Sequence, residues 1–288
     1  IMSRRNNRKR EGVVGAILAF PDGILTLCCF AVPLVVIVLY SFWKIDLTTF
    51  TVTTNWNLGN YGDIFKSIYL QALLRSILIT LATVVGCLLL GLPIAYFIAS
   101  CKGKLQLLMI GAIVIPFWTS FVVRTYAWLE LLGAHGVITQ ALVHMHLVAD
   151  GTDLRYSTTA VIIGMVYSYL PMMILPVYST FEQLDQPLLE AAADLGKTPS
   201  QAFFQIVMPS CGGGIVAGSL LVAIPALGEY TIPAILGGSK TLMIGNVIAS
   251  EFQTTGNYPR GAALSSVLMV AVLLIIIGKQ IMQWRKVR

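Results

Sequence analysis

Long runs without a charged side chain are the feature that most limits what this chain can fold into. Six uninterrupted charge-free stretches of at least 18 residues lie at 23–43, 76–101, 105–123, 156–181, 198–228 and 261–278. A transmembrane helix needs about 20 mostly apolar residues, each rising about 1.5 Å. A seventh such stretch, 131–149, is interrupted by glycine, glutamine and histidine, and we expect it to be a loop. The sequence therefore predicts an all-α, polytopic membrane protein with six transmembrane helices.

The composition supports the same class. Of the 288 residues, 57% are hydrophobic and 11% are charged, whereas charged residues make up about 25% of an average soluble domain. Cysteines lie within the predicted spans or at their inner ends, so we expect small apolar groups rather than a disulfide scaffold. They are Cys28, Cys29, Cys87, Cys101 and Cys211. The formal net charge of +6 does not indicate a nucleic-acid partner here, because the position of the basic residues reports membrane orientation instead.

Basic residues are unequally divided when six spans alternate from an inner N-terminus. The inner segments are then 1–16, 101–104, 181–205 and 279–288. They hold twelve Lys and Arg residues, against six in the longer outer segments. Because Lys and Arg accumulate on the cytoplasmic side, both termini are predicted to be cytoplasmic. The first apolar run continues to Tyr40 without a small-residue cleavage pattern, which disfavours a cleaved secretory signal.

The inner loop 181–205 is too polar to span the membrane and too apolar to be a free linker. Gly196 can take the left-handed conformation that ends one helix, and Thr198 to Gln201 form a capping box that starts another. Glu190 and Asp194 are four residues apart and share a helix face. An acidic face favours a protein partner, because helices that lie on lipid usually present Lys or Arg to it.

The same loop carries a family signature. Glu190-Ala191-Ala192, three residues, Gly196, nine residues and then Ile206 to Pro209 resemble the E-A-A-x3-G-x9-I-x-L-P signature of type I ABC importer permeases, with Met208 replacing leucine. In that family this loop is the coupling helix that docks on the ATPase subunit. The resemblance implies these ATPase-coupling residues: Glu190, Ala191, Ala192, Asp194, Leu195, Gly196 and Pro199.

A competing motif, the phosphate-binding loop, is only partly matched at Gly196-Lys197-Thr198. Its leading glycine is replaced by Ala191, and no strand precedes it. We therefore expect no ATPase site and no cofactor on this chain, with ATP and Mg bound by the partner ATPase.

Arg124 lies in the outer part of the third predicted span, where an ionised group needs a counter-charge or water. Glu229 and Glu130 are the candidate partners. Two interpretations remain open: Arg124 and Glu229 neutralise each other, or Glu229 belongs to a substrate path for cations. Aromatic faces could bind an ammonium group along that path. They are Trp118, Tyr126 and Tyr230.

The fifth span is the least regular, and Gly214 and Gly218 give it a small-xxx-small pair. Such a pair serves either close helix packing or a translocation path. His144 and His146 suggest a metal site, but no carboxylate or cysteine cluster accompanies them, so none is expected.

Several segments between about residues 20 and 280 are similar to the spermidine/putrescine permeases. They are Pro116 to Ser120, Tyr167 to Pro176, Leu184 to Gly196, Gly228 to Pro233 and Leu236 to Gly238. This resemblance implies a permease subunit for polyamines in a bacterial cytoplasmic (inner) membrane, while the same ABC class imports other small solutes. It also implies a second permease subunit, identical or different, two cytoplasmic ATPases and an extracytoplasmic solute-binding protein.

The corresponding organisation is a permease domain at 17–284, with its core at about 72–278, between short cytoplasmic tails at 1–16 and 285–288. An ion-coupled secondary transporter is the rival class. It would show inverted repeats and paired acids near the bilayer midplane, and neither pattern is visible.

Overall fold

The computed structural model describes residues 2–46, 49, 51–184, 194 and 196–287. The chain forms two compact units. The first consists of Ile1–Lys66 with Ser250–Arg288, and the second of Ser67–Ala249. The fold is almost entirely helical, as predicted.

Within the described ranges, the first half of the chain contains two long helices, four shorter ones and one short hairpin. Its elements are α1 (Met2–Ser41), β1 (Lys44–Asp46), β2 (Thr51–Thr53), α2 (Gly59–Asp63), α3 (Ser67–Ser100), α4 (Lys104–Val114), α5 (Phe121–Leu131) and α6 (Val137–His144). The strands pair antiparallel, with Ile45 opposite Val52.

The second half begins with another long helix and ends with the last one. Its elements are α7 (Thr158–Glu182), α8 (Pro199–Ala202), a π-helical turn (Phe203–Val207), α9 (Met208–Ser210), α10 (Gly212–Leu227), a second π-helical turn (Pro233–Gly237), α11 (Ile244–Gln253) and α12 (Tyr258–Val287).

Among the described residues, four helical segments are each long and apolar enough to cross a membrane. They are Gly23–Ser41, Ser67–Ser100, Thr158–Glu182 and Tyr258–Gly278. Two bent helix pairs raise the number to six when each pair counts as one span, which agrees with the predicted number.

The third predicted span is broken rather than straight. Lys104–Trp118 and Phe121–Leu131 meet at an angle of 97°. Pro116 lies in a 3-10 turn, Thr119 is extended and Ser120 has a non-helical ψ of 131°, so the α-helical hydrogen-bond ladder is interrupted. Such irregular backbone is tolerated at membrane depth only where protein or water satisfies it.

The stretch 131–149 was expected to be a loop, and this expectation is wrong for Val137–His144, which is helical. Its polar side chains find local acceptors: Thr139 Oγ1 donates to the Leu132 carbonyl and Gln140 Nε2 to that of Ala134. Eight residues rise only about 12 Å, so the helix is too short to be a seventh span.

The core of the second unit lies where α3, α7 and α10 pack together. Two glycines allow α10 to approach α7 closely. A β-carbon on Gly214 would lie 2.8 Å from the Pro176 carbonyl oxygen, and one on Gly218 would lie 3.2 Å from that of Met173. The small-xxx-small pair therefore serves helix packing, which was one of its two interpretations.

In the first unit, α1 and α2 both pack against α12, and a cluster of charges holds α2 in place. Asp63 bonds Lys66 Nζ at 2.7 Å and Arg260 Nη2 at 3.0 Å. The hydrogen bond from Lys66 and the positive charge of Arg260 hold the pKa of the Asp63 carboxyl below its usual 3.8. Arg260 also reaches Glu251 Oε1 at 3.8 Å.

Candidate functional site

The structure describes both ends of the loop 181–205 but not its middle. Glu190, Ala191, Ala192 and Leu195 lie outside the described residues. Asp194 is helical and exposed, and α8 begins at Pro199.

The second half of this loop has the local geometry that its sequence predicts. Gly196 has a φ of +75°, which is the left-handed region that favours glycine. The Thr198 amide donates to Gln201 Oε1 at 3.0 Å, and the Gln201 amide donates to Thr198 Oγ1 at 3.4 Å. The left-handed conformation of Gly196 and the capping box are therefore confirmed, while the helix predicted before Gly196 lies largely outside the described residues.

Glu229 lies in the turn after α10, and its carboxylate is occupied by hydrogen bonds from this chain. Oε2 accepts the Tyr169 hydroxyl of α7 at 2.5 Å. Oε1 accepts the backbone amides of Tyr230, Thr231 and Ile232 at 3.0, 2.8 and 3.4 Å. The side chain thus begins the helical segment that follows it and ties that segment to α7.

Arg124 does not form an ion pair with Glu229 or Glu130, so the pairing considered from charge alone is not made. Its guanidinium carbon lies 4.7 Å above the centre of the Phe117 ring and 5.9 Å from that of Phe121. Its Nε and Nη1 are buried and have no hydrogen-bond partner among the residues that the structure describes. Aromatic faces, rather than a carboxylate, therefore surround this charge.

The aromatic residues of the predicted substrate path are exposed and do not stack on one another. Trp118 follows Pro116 in the broken span and is 86% exposed, and Tyr126 and Tyr230 are about half exposed. Helix α5, which carries Arg124 and Tyr126, packs against the π-helical turn Pro233–Gly237 that follows the Glu229 turn. The structure thus brings the helix that carries Arg124 and Tyr126 close to the segment that follows Glu229 and Tyr230.

Sequence reasoning missed three partners of these residues: Tyr169 for Glu229, and Phe117 and Phe121 for Arg124. Tyr169 is 60 positions from Glu229, so no local spacing connects them. Phe121 precedes Arg124 by three positions on one helix, and that spacing does place two side chains on one face. A cation–aromatic contact could therefore have been anticipated for Arg124, whereas the Tyr169 bond could not.

No group of three or more His, Cys, Asp or Glu side chains within the described part of the chain could hold a metal ion. His144 and His146 instead line an open cavity of about 560 Å³ with Asp150.

Comparison with known proteins places these features in context. The model of the family described as "binding-protein-dependent transport system inner membrane component" matches residues 91–284. The chain is 36% identical over 284 residues to the spermidine/putrescine transport system permease protein PotB of Salmonella typhimurium (strain SL1344), covering 99% of this chain and 96% of the relative. It is 40% identical over 217 residues to PotB of Haemophilus influenzae, covering 75% of this chain and 76% of that protein.

A solved structure has a similar fold. It is a bacterial alginate ABC transporter in complex with an alginate pentasaccharide-bound periplasmic protein. The alignment covers 97% of this chain and 96% of the other, with a TM-score of 0.67 and 18% sequence identity. At that identity the likeness concerns the fold alone.

Proposed function

This chain belongs to the family of binding-protein-dependent transport system inner membrane components, and from that premise we propose that it is the permease subunit of an ATP-driven importer of polyamines such as spermidine and putrescine. One observation carries the substrate class: 36% identity to a spermidine/putrescine permease that extends over 99% of the chain. Similarity of that extent covers the spans and the loop 181–205 together.

The proposed assembly contains a second permease subunit, two cytoplasmic ATPases and an extracytoplasmic solute-binding protein. The family description, which specifies dependence on a binding protein, supports the last of these. The unequal distribution of Lys and Arg supports cytoplasmic termini and a cytoplasmic loop 181–205. ATP and Mg would be bound by the ATPase subunits and not by this chain.

The proposed mechanism uses the loop 181–205 as the contact with the ATPase. ATP must bind one conformer of the complex more tightly than the other, since only a difference in affinity can shift a conformational equilibrium. Closure of the ATPases would then move the loop and turn the paired permeases outward, so that substrate enters from the binding protein. Hydrolysis would return them to the inward-facing state and release substrate inside.

The proposed path for a cationic substrate runs past the exposed aromatic rings of Trp118, Tyr126 and Tyr230. Aromatic faces attract ammonium groups, and the broken span beside Trp118 is the kind of backbone that lines water-filled cavities. The positive charge of Arg124 would repel a cationic substrate, so the path is proposed to avoid its guanidinium, which lies over the Phe117 ring. Glu229 contributes by positioning Tyr230 rather than by offering a free carboxylate.

The test is uptake of radiolabelled spermidine by proteoliposomes that contain the whole assembly with and without ATP inside. We expect uptake only with ATP and the binding protein, and excess putrescine should compete. Uptake of an unrelated solute instead of spermidine would assign the chain to another substrate of the same class. Concentrative uptake by this chain and the second permease alone, driven by an ion gradient, would refute the ATP-driven mechanism.

The docking face is tested by Glu190→Lys, which inverts a charge on the proposed contact with the ATPase. We expect loss of uptake and loss of ATPase co-purification. Glu182→Lys is the matched control, because it makes the same charge change on an exposed residue at the start of the loop, where α7 ends. Full transport and undiminished co-purification by Glu190→Lys would contradict this docking site.

A further inference from the structure

The two ends of the loop 181–205 are joined through one aromatic side chain. Phe181 is in the last turn of α7, at the start of the loop, and Phe203 opens the π-helical turn near the end of the loop. The Tyr96 ring of α3 contacts both, with ring centres 5.7 Å from Phe181 and 5.2 Å from Phe203. These three residues form what we call the aromatic bridge.

Both ring contacts of the aromatic bridge have the same edge-to-face geometry. The ring planes cross at 79° and 78°, which is the edge-to-face arrangement that aromatic pairs prefer. Phe181 is only 5% exposed, and Phe203 packs against the core of the second unit. Because both phenylalanines are held by the core, a displacement of either loop end must move Tyr96 or break an aromatic contact.

Helix α3 connects the bridge with the segment that contains Tyr230. Tyr96 is near the end of α3, and the buried Ser76 is 20 positions earlier, about 30 Å along the helix axis. Ser76 Oγ accepts the Ile244 amide at 2.7 Å. Asn246, two positions beyond Ile244, donates from Nδ2 to the Tyr230 carbonyl at 2.8 Å.

We propose that Tyr96 is the positioning residue through which movement of the loop 181–205 is transmitted along α3 to the turn at Glu229 and Tyr230. The inference rests on the proposed function, because the loop moves only if an ATPase binds it. A helix of about 30 Å spans the hydrocarbon core of a bilayer, so α3 reaches from one side of the membrane to the other. The contacts at both of its ends form one continuous chain of packed and hydrogen-bonded groups.

The experiment compares uptake with ATP hydrolysis in the fully assembled complex in proteoliposomes, using radiolabelled spermidine and released phosphate. Tyr96→Leu removes both ring contacts and keeps an apolar side chain. We expect ATPase co-purification at the parental yield, with uptake per ATP hydrolysed lower on the order of tenfold. Tyr96→Phe keeps the ring and should keep the parental ratio.

Phe97→Leu is the matched control. Phe97 is adjacent on α3 and exposed, and it makes no ring contact within the described part of the chain. It should leave the ratio unchanged. Phe203→Leu removes the ring contact on the loop side and should also lower the uptake per ATP hydrolysed. Adding Tyr96→Leu to Phe203→Leu should lower this ratio by less than Tyr96→Leu does in the parental chain.

The results separate the two proposals. A parental complex that imports spermidine with ATP, while Tyr96→Leu and Phe203→Leu both keep its ratio, overturns the role of Tyr96 and leaves the proposed function standing. A parental chain that binds no ATPase overturns both. A lowered ratio in these variants at unchanged complex yield, with a parental ratio in Phe97→Leu, supports the bridge.

Discussion

The hydrogen bond between Tyr169 and Glu229 gives a quantitative prediction. Tyr169→Phe removes one bond of 2.5 Å to a charged acceptor, and bonds of this kind contribute about 1.5–3 kcal/mol. Glu229→Ala removes the same bond and also the acceptor for three backbone amides, which adds roughly 0.5–2 kcal/mol by analogy with a helix cap. We therefore expect Glu229→Ala to lower the free energy of unfolding by about 2–5 kcal/mol in total.

The assay is a double-mutant cycle on the purified full-length chain in detergent micelles, with the free energy of unfolding measured for each variant. The double variant should be no less stable than Glu229→Ala, because the hydroxyl has already lost its partner. The coupling energy should be about 1.5–3 kcal/mol. Tyr167→Phe is the control, since Tyr167 lies on the same helix, packs on Trp128 and has no hydrogen-bonded hydroxyl partner among the described residues.

Strictly additive losses from Tyr169→Phe and Glu229→Ala would refute this reasoning, because two groups that bond each other cannot contribute independently. Transport extends the test. Glu229→Gln keeps one oxygen as the acceptor for the amides but replaces the oxygen that accepts the Tyr169 hydroxyl with an amide nitrogen. The turn should then be held less firmly, so spermidine uptake should fall while the complex still assembles. If Glu229 acts by positioning the turn, Tyr169→Phe should reduce uptake too. If it contacts substrate directly, Tyr169→Phe should leave uptake unchanged.

Two further predictions concern packing and pH. Gly214→Ala should destabilise the chain by about 1–3 kcal/mol, because its β-carbon meets the backbone of α7. Gly212→Ala is the control and should not destabilise the chain, because the new carbon has no atom within 4 Å. Equal thermal stabilities of the two variants would contradict this prediction. The pKa of Asp63 is lowered by Lys66 and Arg260, so its stabilising effect is present above the unfolded value of 3.8 and is lost as the pH falls through the lower folded value. Unfolding measured between pH 6 and pH 3 should therefore depend less on pH in Asp63→Asn, and an unchanged pH profile would argue against the charge cluster.

Local signals in the sequence predicted local structure well. The charge-free stretches indicated the helical membrane class and the number of spans. The structure also confirms the left-handed conformation of Gly196 and the helix restart at the Thr198 capping box. Pro116 was visible within the third span, but an uncharged run carries no information about the 97° bend that follows it. The eight-residue helix within 131–149 was missed because its polar side chains resemble a loop until their acceptors are known.

Long-range pairing could not be predicted in this way. Charge alone made Glu229 the candidate partner for Arg124, yet Arg124 lies over Phe117 and Glu229 bonds Tyr169. Two opposite charges form an ion pair only if the helices that carry them bring the groups within about 4 Å. The orientations of α5, which carries Arg124, and of α7, which carries Tyr169, decide which side chains meet. These orientations follow from side-chain packing across the second unit.

The sequence by itself determined that the chain is a helical membrane protein. It also favoured an orientation and marked the loop that carries the family signature. These features could be predicted because hydropathy, charge and capping act within a few residues. Only the tertiary structure decided that Tyr169 occupies the carboxylate of Glu229 and that Tyr96 joins the two ends of that loop. Contacts between segments this far apart leave no periodic trace, because they arise from the packing of helices against one another.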